Sequence, residues 1–183
     1  MDIRGIENLE KTMIKEIDDR FDDWNAKKKS IARKIPVNKT EMNQVRFDIK
    51  SWTLWWFQAG ENIGHETGTH VDNQTSTHTF NRPCLVISKF KSLQDTDSSI
   101  VTVIPMSTKS DGIGTNKDYT HLLKASKYPT DGKLKGLSKD SHALCHQMKS
   151  IDTKRLISMI HKRISEDDIT AIQEKIKKYI DLP

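Results

Sequence analysis

Three short runs of the chain carry side chains able to act on a phosphate ester. They are Gly64-His65-Glu66, Asn81-Arg82-Pro83 and Pro105-Met106-Ser107-Thr108-Lys109. Arginine presents a planar fork of donors and a permanent charge, which suits a phosphate. Ser107 and Thr108 add hydroxyls that donate to the same oxygens, and Lys109 adds a second cation. Glu66 and His65 are the proton-transfer candidates. Each run falls where an expected strand meets a loop, and a rigid scaffold holds an exposed group at such a place. An Arg-Pro at a strand start is also a frequent surface feature, so composition alone leaves the cluster suggestive.

Other chemistries find less support. The sequence has no GxxxxGK[ST], no GxGxxG and no GxSxG, and Gly112-Ile113-Gly114 alone is a turn signal. His65, His70 and His78 share one Thr- and Asn-rich stretch without a cysteine pair, which is a poor zinc frame. His142 and His146 fit a structural role better than a metal site. No metal or other cofactor is expected.

The elements that must position these residues follow from periodicity. Ser51-Trp52-Thr53-Leu54-Trp55-Trp56-Phe57 is aromatic-rich and reads as a strand. Residues 60–81 show no helical period and read as a long loop. Residues 83–88, 100–106, 119–123, 142–150 and 157–164 read as further strands, with residues 109–118 as a second loop. Ser165 with Asp168 marks the start of a closing helix, whose stripe is Ile169, Ile172, Ile176 and Ile180. At the other end Ile6, Leu9, Met13, Ile17, Phe21 and Trp24 recur at helical spacing. That helix is expected to pack on the main domain, the other reading being an arm for a partner or a second copy. The expected division is a helical extension over 1–48 and a main domain over 49–183. The fold class is mainly β with α: a small antiparallel barrel carrying a C-terminal helix.

Composition agrees with such a chain. It has 183 residues, 34% hydrophobic and 30% charged, and a formal net charge of +5. Residues 1–50 hold 12 Lys and Arg against 10 Asp and Glu, leaving 18 against 15 for the rest, so the main domain is only mildly basic. No run approaches the roughly 18 apolar residues of a spanning helix. The N-terminus does not resemble a secretory signal, and two cysteines, Cys84 and Cys145, make no disulfide framework. A soluble cytoplasmic protein with both cysteines buried is expected.

Four runs taken together resemble the MazF/PemK toxins. They are Trp55-Trp56-Phe57 with Gly64-x-Glu66; Arg82-Pro83-Cys84-Leu85-Val86-Ile87; Val103-Ile104-Pro105-Met106-Ser107-Thr108; and Leu144 through Leu156, which contains Gln147, Lys149, Ser150, Ile151, Asp152, Arg155 and Leu156. The resemblance covers about residues 50–180. It implies an SH3-like barrel, a homodimer, and a sequence-specific, metal-independent endoribonuclease acting on single-stranded RNA, blocked by a cognate antitoxin. It implies attack by the RNA 2′-hydroxyl, leaving a 2′,3′-cyclic phosphate and a 5′-hydroxyl. Arg82 matches the family's active-site arginine. Ser107 stands where the family usually has a catalytic threonine, and Glu66 matches the acidic residue of a Gly-Ser-Glu-Gln segment whose serine is His65 here. Trp56 is the expected base-stacking surface and Lys109 and Lys149 the expected phosphate contacts. Asn81, Thr108 and Gln147 complete the expected RNA-binding set.

Two other functions fit the same fold. One is a non-enzymatic, CcdB-like gyrase poison, which acts through a terminal Trp-Gly-Ile; this chain ends Asp181-Leu182-Pro183. The other is an inactive nucleic-acid-binding module.

Overall fold

The computed structural model describes residues 3–33, 49–61, 70–71, 78–79, 81–88, 100–108 and 117–182. The elements are α1 (Ile3–Ala32), β1 (Thr53–Gln58), β2 (His70–Val71), β3 (His78–Thr79), β4 (Asn81–Val86), β5 (Ile100–Ser107), β6 (Thr120–Leu123), β7 (Ser141–Leu144), β8 (Lys149–Asp152), β9 (Leu156–His161) and α2 (Glu166–Tyr179). β2 and β3 pair only with each other. They form a short ribbon inside the stretch expected to be wholly loop.

The other strands form one antiparallel sheet in the order β6-β7-β5-β4-β1-β9, with β8 also on β5. No ladder joins β6 to β9, so the sheet is open and the expected SH3-like barrel is corrected. Closure requires the two end strands to hydrogen-bond. Here β6 is only four residues long and packs against α2. At the other end, Gly136 N–H donates to Ile160 O of β9 at 3.2 Å. A loop segment, not a strand, meets that edge.

Both faces of the sheet are buried, and alternate residues of β1 divide between them. Leu54 joins Leu85, Ile104, Met106, Leu123 and Ile160 in a core completed by Ile169 and Ile172 of α2. Trp55 and Phe57 join Cys84, Val86, Val101, Val103, Ile151 and Leu156 in a second core, whose first member along the chain is Ile49. Burial pushes up the pKa of both free thiols, that of Cys145 to about 11.

The strand expected over 142–150 is broken in two. β7 pairs with the end of β5 and β8 with its beginning, with a 3-10 turn at Cys145–Gln147 between them. Leu144 and Cys145 are both buried. α2 begins as expected: Ser165 Oγ accepts from the Asp168 N–H at 3.3 Å. Its stripe is shorter than expected, because Ile176 is half-buried and Ile180 is exposed.

Among the described residues, α1 packs on the domain through its C-terminal half. Trp24 and Ile31 are buried, whereas Leu9, Met13 and Ile17 of the expected stripe are exposed. The guanidinium carbon of Arg155 lies 5.5 Å from the Trp24 ring centre. Gly60, at φ +88°, makes room for that indole, since a Cβ there would overlap it. Among the described residues no helix is long and apolar enough to cross a membrane.

Candidate active site

A cleft of about 270 Å³ opens where β4 begins and β5 ends. Its walls include Trp56, Asn81, Arg82, Pro83, Met106, Ser107 and Thr108, with Gly136 to Lys139, Ser141 and Ile160 on the facing side. The local sequence explains why the strands part there. Their ladder runs Val86↔Val103, Leu85↔Ile104 and Cys84↔Pro105. Neither Pro105 nor the next residue of β4, Pro83, has an N–H to donate, so backbone pairing stops and a gap opens. β1 holds the other side of β4 in place, pairing Trp56 with Pro83 and Phe57 with Arg82.

The cleft is cationic. Arg82 and Lys139 line it, and no carboxylate does so among the described residues. Arg82 is half-buried, and its burial lowers the guanidinium's pKa from the ordinary value. It stays charged at neutral pH. Part of its field therefore acts through protein, where a charge is screened less than in water.

A family model described as "PemK-like, MazF-like toxin of type II toxin-antitoxin system" matches residues 50–180. The chain belongs to that family. Solved structures are similar to it at low identity. Mycobacterium tuberculosis toxin MazF-mt6 is 17% identical, over 64% of this chain and 99% of that one, with a TM-score of 0.43. MazF from Deinococcus radiodurans is 16% identical, over 73% and 97%, at 0.48. A mycobacterial endoribonuclease in complex with its cognate antitoxin is 10% identical, over 74% and 97%, at 0.43. Comparison with curated proteins finds no match.

In this MazF-like toxin, the cleft gathers Arg82, Ser107, Thr108, Asn81 and Trp56 from the residues singled out by sequence. Trp56 is half-buried against the first core, while Trp55 and Phe57 are buried in the second. Gln147 and Lys149 stand apart from the cleft. Lys149 pairs with Val103, four residues up β5 from Ser107, about 13 Å along a strand. Gln147 sits in the 3-10 turn, its Nε2 3.4 Å from His146 Nε2. Glu66, His65 and Lys109 lie outside the described residues, as does the loop 109–116.

Two further residues emerge from the geometry. His142 is the cross-strand partner of Ser107, and such pairs hold their Cβ atoms roughly 5 Å apart on one face. Arg155 donates from Nε to Gln58 O at 2.8 Å and from Nη2 to Ala59 O at 2.5 Å. It thereby holds the end of β1, from which the chain runs on toward His65 and Glu66. Burial lowers its pKa as well. The place of His142 beside Ser107 depends on strand register and has no local sequence signal, whereas Arg155 lies in the last of the four motif runs, which does not show the carbonyls it holds.

Proposed function

We propose that this MazF-like toxin is an endoribonuclease that cleaves single-stranded RNA. The observation that carries the reading is a cationic cleft, free of carboxylates among the described residues, lined by both Arg82 and Ser107. A phosphodiester there has the Arg82 guanidinium and the Ser107 hydroxyl as donors for its non-bridging oxygens. Those oxygens gain charge as the phosphorane forms, and donors fixed beforehand stabilise that charge without reorganisation.

The 2′-hydroxyl oxygen attacks the adjacent phosphorus, and the bond from phosphorus to the 5′-oxygen breaks. The products are a 2′,3′-cyclic phosphate and a 5′-hydroxyl. The 2′-hydroxyl proton passes to Glu66 or His65, and the leaving 5′-oxygen takes a proton from Arg82; water then returns a proton to Arg82 and takes one from the base. DNA lacks the nucleophile and is not cut. Half-buried Trp56 offers an aromatic face for an unstacked base. The enzyme works as a homodimer on specific RNA sequences and is neutralised by an antitoxin, as family membership suggests.

The test is incubation of the protein with a long single-stranded RNA in EDTA, followed by analysis of the new ends. Discrete cuts ending in cyclic phosphate support the reading. An RNA left intact by folded protein, with gyrase inhibited instead, overturns it.

A further inference from the structure

The Arg82 cleft has a larger neighbour. A depression of about 460 Å³ is lined by Lys50, Asp131, Gly132, Lys133, Leu134, Met159 and Lys162. Three cations and one carboxylate share it, and the carboxylate of Asp131 already has Lys162 Nζ at 3.5 Å. The volume falls within the range of roughly 300–1,000 Å³ typical of small-ligand sites. It is therefore roomy enough for a nucleotide.

Two features tie this pocket to the cleft. The first is β9, which ends the sheet. Met159 lines the pocket and Ile160 the cleft, and successive strand residues point to opposite faces. The two depressions therefore flank one edge strand. The second is the segment 131–139. Its first residues line the pocket and its last four line the cleft.

That segment is well fixed. Asp131 N–H donates to Leu134 O at 3.0 Å, and Leu134 N–H returns a bond to Asp131 O at 2.9 Å. Gly132, at φ +58°, turns the chain between them. Leu137 N–H donates to Tyr128 O at 2.8 Å. Lys133 is thus held on a tight turn and does not ride on a free loop.

The chemistry of the pocket is that of a polyanion contact with an apolar floor. Lysines act on phosphate as point charges, without the fork geometry that reads one orientation. Such contacts position a strand without reading its sequence. Met159 and Leu134 supply the apolar surface, and a thioether packs well against an aromatic ring. A lone phosphate would need only one of the two depressions, whereas a chain of nucleotides can occupy both.

We propose that the Lys50–Lys133–Lys162 pocket seats a nucleotide of the same strand beyond those that flank the scissile bond, its phosphate on the lysines and its base against Met159 and Leu134. This extends the endoribonuclease reading and rests on it. The pocket raises affinity for longer strands and leaves the chemistry at Arg82 untouched.

Methionine methyl NMR separates the two ideas, because Met106 reports on the cleft and Met159 on the pocket. The probe is a pool of 2′-O-methyl single-stranded RNA of mixed sequence, which binds but has no nucleophile. Shifts at both methyls support the proposal. A shift at Met106 alone overturns it and leaves the cleft reading intact. A shift at Met159 alone overturns the cleft reading and the proposal with it, since the proposal needs one strand in both depressions. Shifts at neither overturn both. The variant Lys50→Gln/Lys133→Gln/Lys162→Gln is expected to lose the Met159 shift and keep that of Met106. It should bind the pool about tenfold more weakly, its salt slope falling by roughly 0.7 for each phosphate no longer neutralised. Binding equal to that of the unaltered chain overturns the proposal.

Discussion

Arg82 and Ser107 line one cleft, each two residues beyond the last paired residues of β4 and β5. The ladder pairs Val86 with Val103, Leu85 with Ile104 and Cys84 with Pro105. Arg82 and Ser107 lie two residues beyond that last pair, where the strands have parted and Ser107 pairs with His142 instead. Both line the cleft. The prolines that stop the backbone pairing leave these two residues at a parted end of the sheet, where a phosphate can enter between them.

Arg82→Ala is expected to lower single-turnover RNA cleavage by about 10²–10³-fold, the usual cost of removing a donor that meets developing charge. Arg82→Lys should recover little, since an ammonium cannot reproduce the fork. Ser107→Ala should cost roughly tenfold, one hydrogen bond's worth, and Ser107→Thr should keep most of the rate. Circular dichroism would confirm that each variant is folded. Cleavage by Arg82→Ala at the unaltered rate would remove Arg82 from the site.

What was legible in the sequence was local. β1, β4, β5 and β9 announce themselves through branched and aromatic residues, and Ser165 with Asp168 marks the start of α2. The four motif runs lie within the matched span, residues 50–180. What was not legible depends on distant partners. The run 142–150 gave no sign that a turn at Cys145–Gln147 would divide it between the two ends of β5. Closure of the sheet depends on what lies beside β6 and β9, which neither strand encodes. The stripe of α1 shows an apolar face but not which half of it is covered. His142 matters through register, to which nothing adjacent in the chain points, and the motif run that contains Arg155 does not show which carbonyls it holds.

Asp168 is a buried carboxylate that ties α2 to the loop after β6. It accepts from the Tyr128 hydroxyl, His121 Nε2 at 2.7 Å, Ser165 Oγ at 2.9 Å and Lys127 Nζ at 3.3 Å. Burial alone would raise its pKa; the four donors outweigh burial and bring it down to about 2. A depressed carboxylate contributes stability that is fully present above the unfolded value of about 3.9 and is lost as pH falls through about 2. Asp168→Asn should therefore cost on the order of 2 kcal/mol at pH 7, with the difference shrinking on acidification. Urea unfolding at several pH values measures it, and a pH-independent difference would refute the linkage.

Gly60 and Trp24 should behave as one unit. At Gly60 the backbone is left-handed, and a Cβ would overlap the indole. Gly60→Ala should cost about 1–3 kcal/mol through backbone strain and undocking of α1. In the Gly60→Ala background, Trp24→Ala should add little, because the indole has already left its seat. A double-mutant cycle read by thermal unfolding tests this. Strictly additive losses would show that α1 does not dock through this pair.

Arg155 links the stability of the fold to the site. Its two donated bonds fix the carbonyls of Gln58 and Ala59, and Gln58 pairs with Asn81 at the lip of the cleft. Arg155→Lys keeps the charge but cannot span both carbonyls, so a stability loss of about 1–3 kcal/mol is expected. The rate should fall as well, because the end of β1 positions both Asn81 and the chain leading to Glu66. Cleavage measured well below the unfolding transition separates the two effects, since all the protein is then folded. A rate equal to that of the unaltered chain, with stability reduced, would confine Arg155 to holding α1 and β1 and deny it any part in positioning the site.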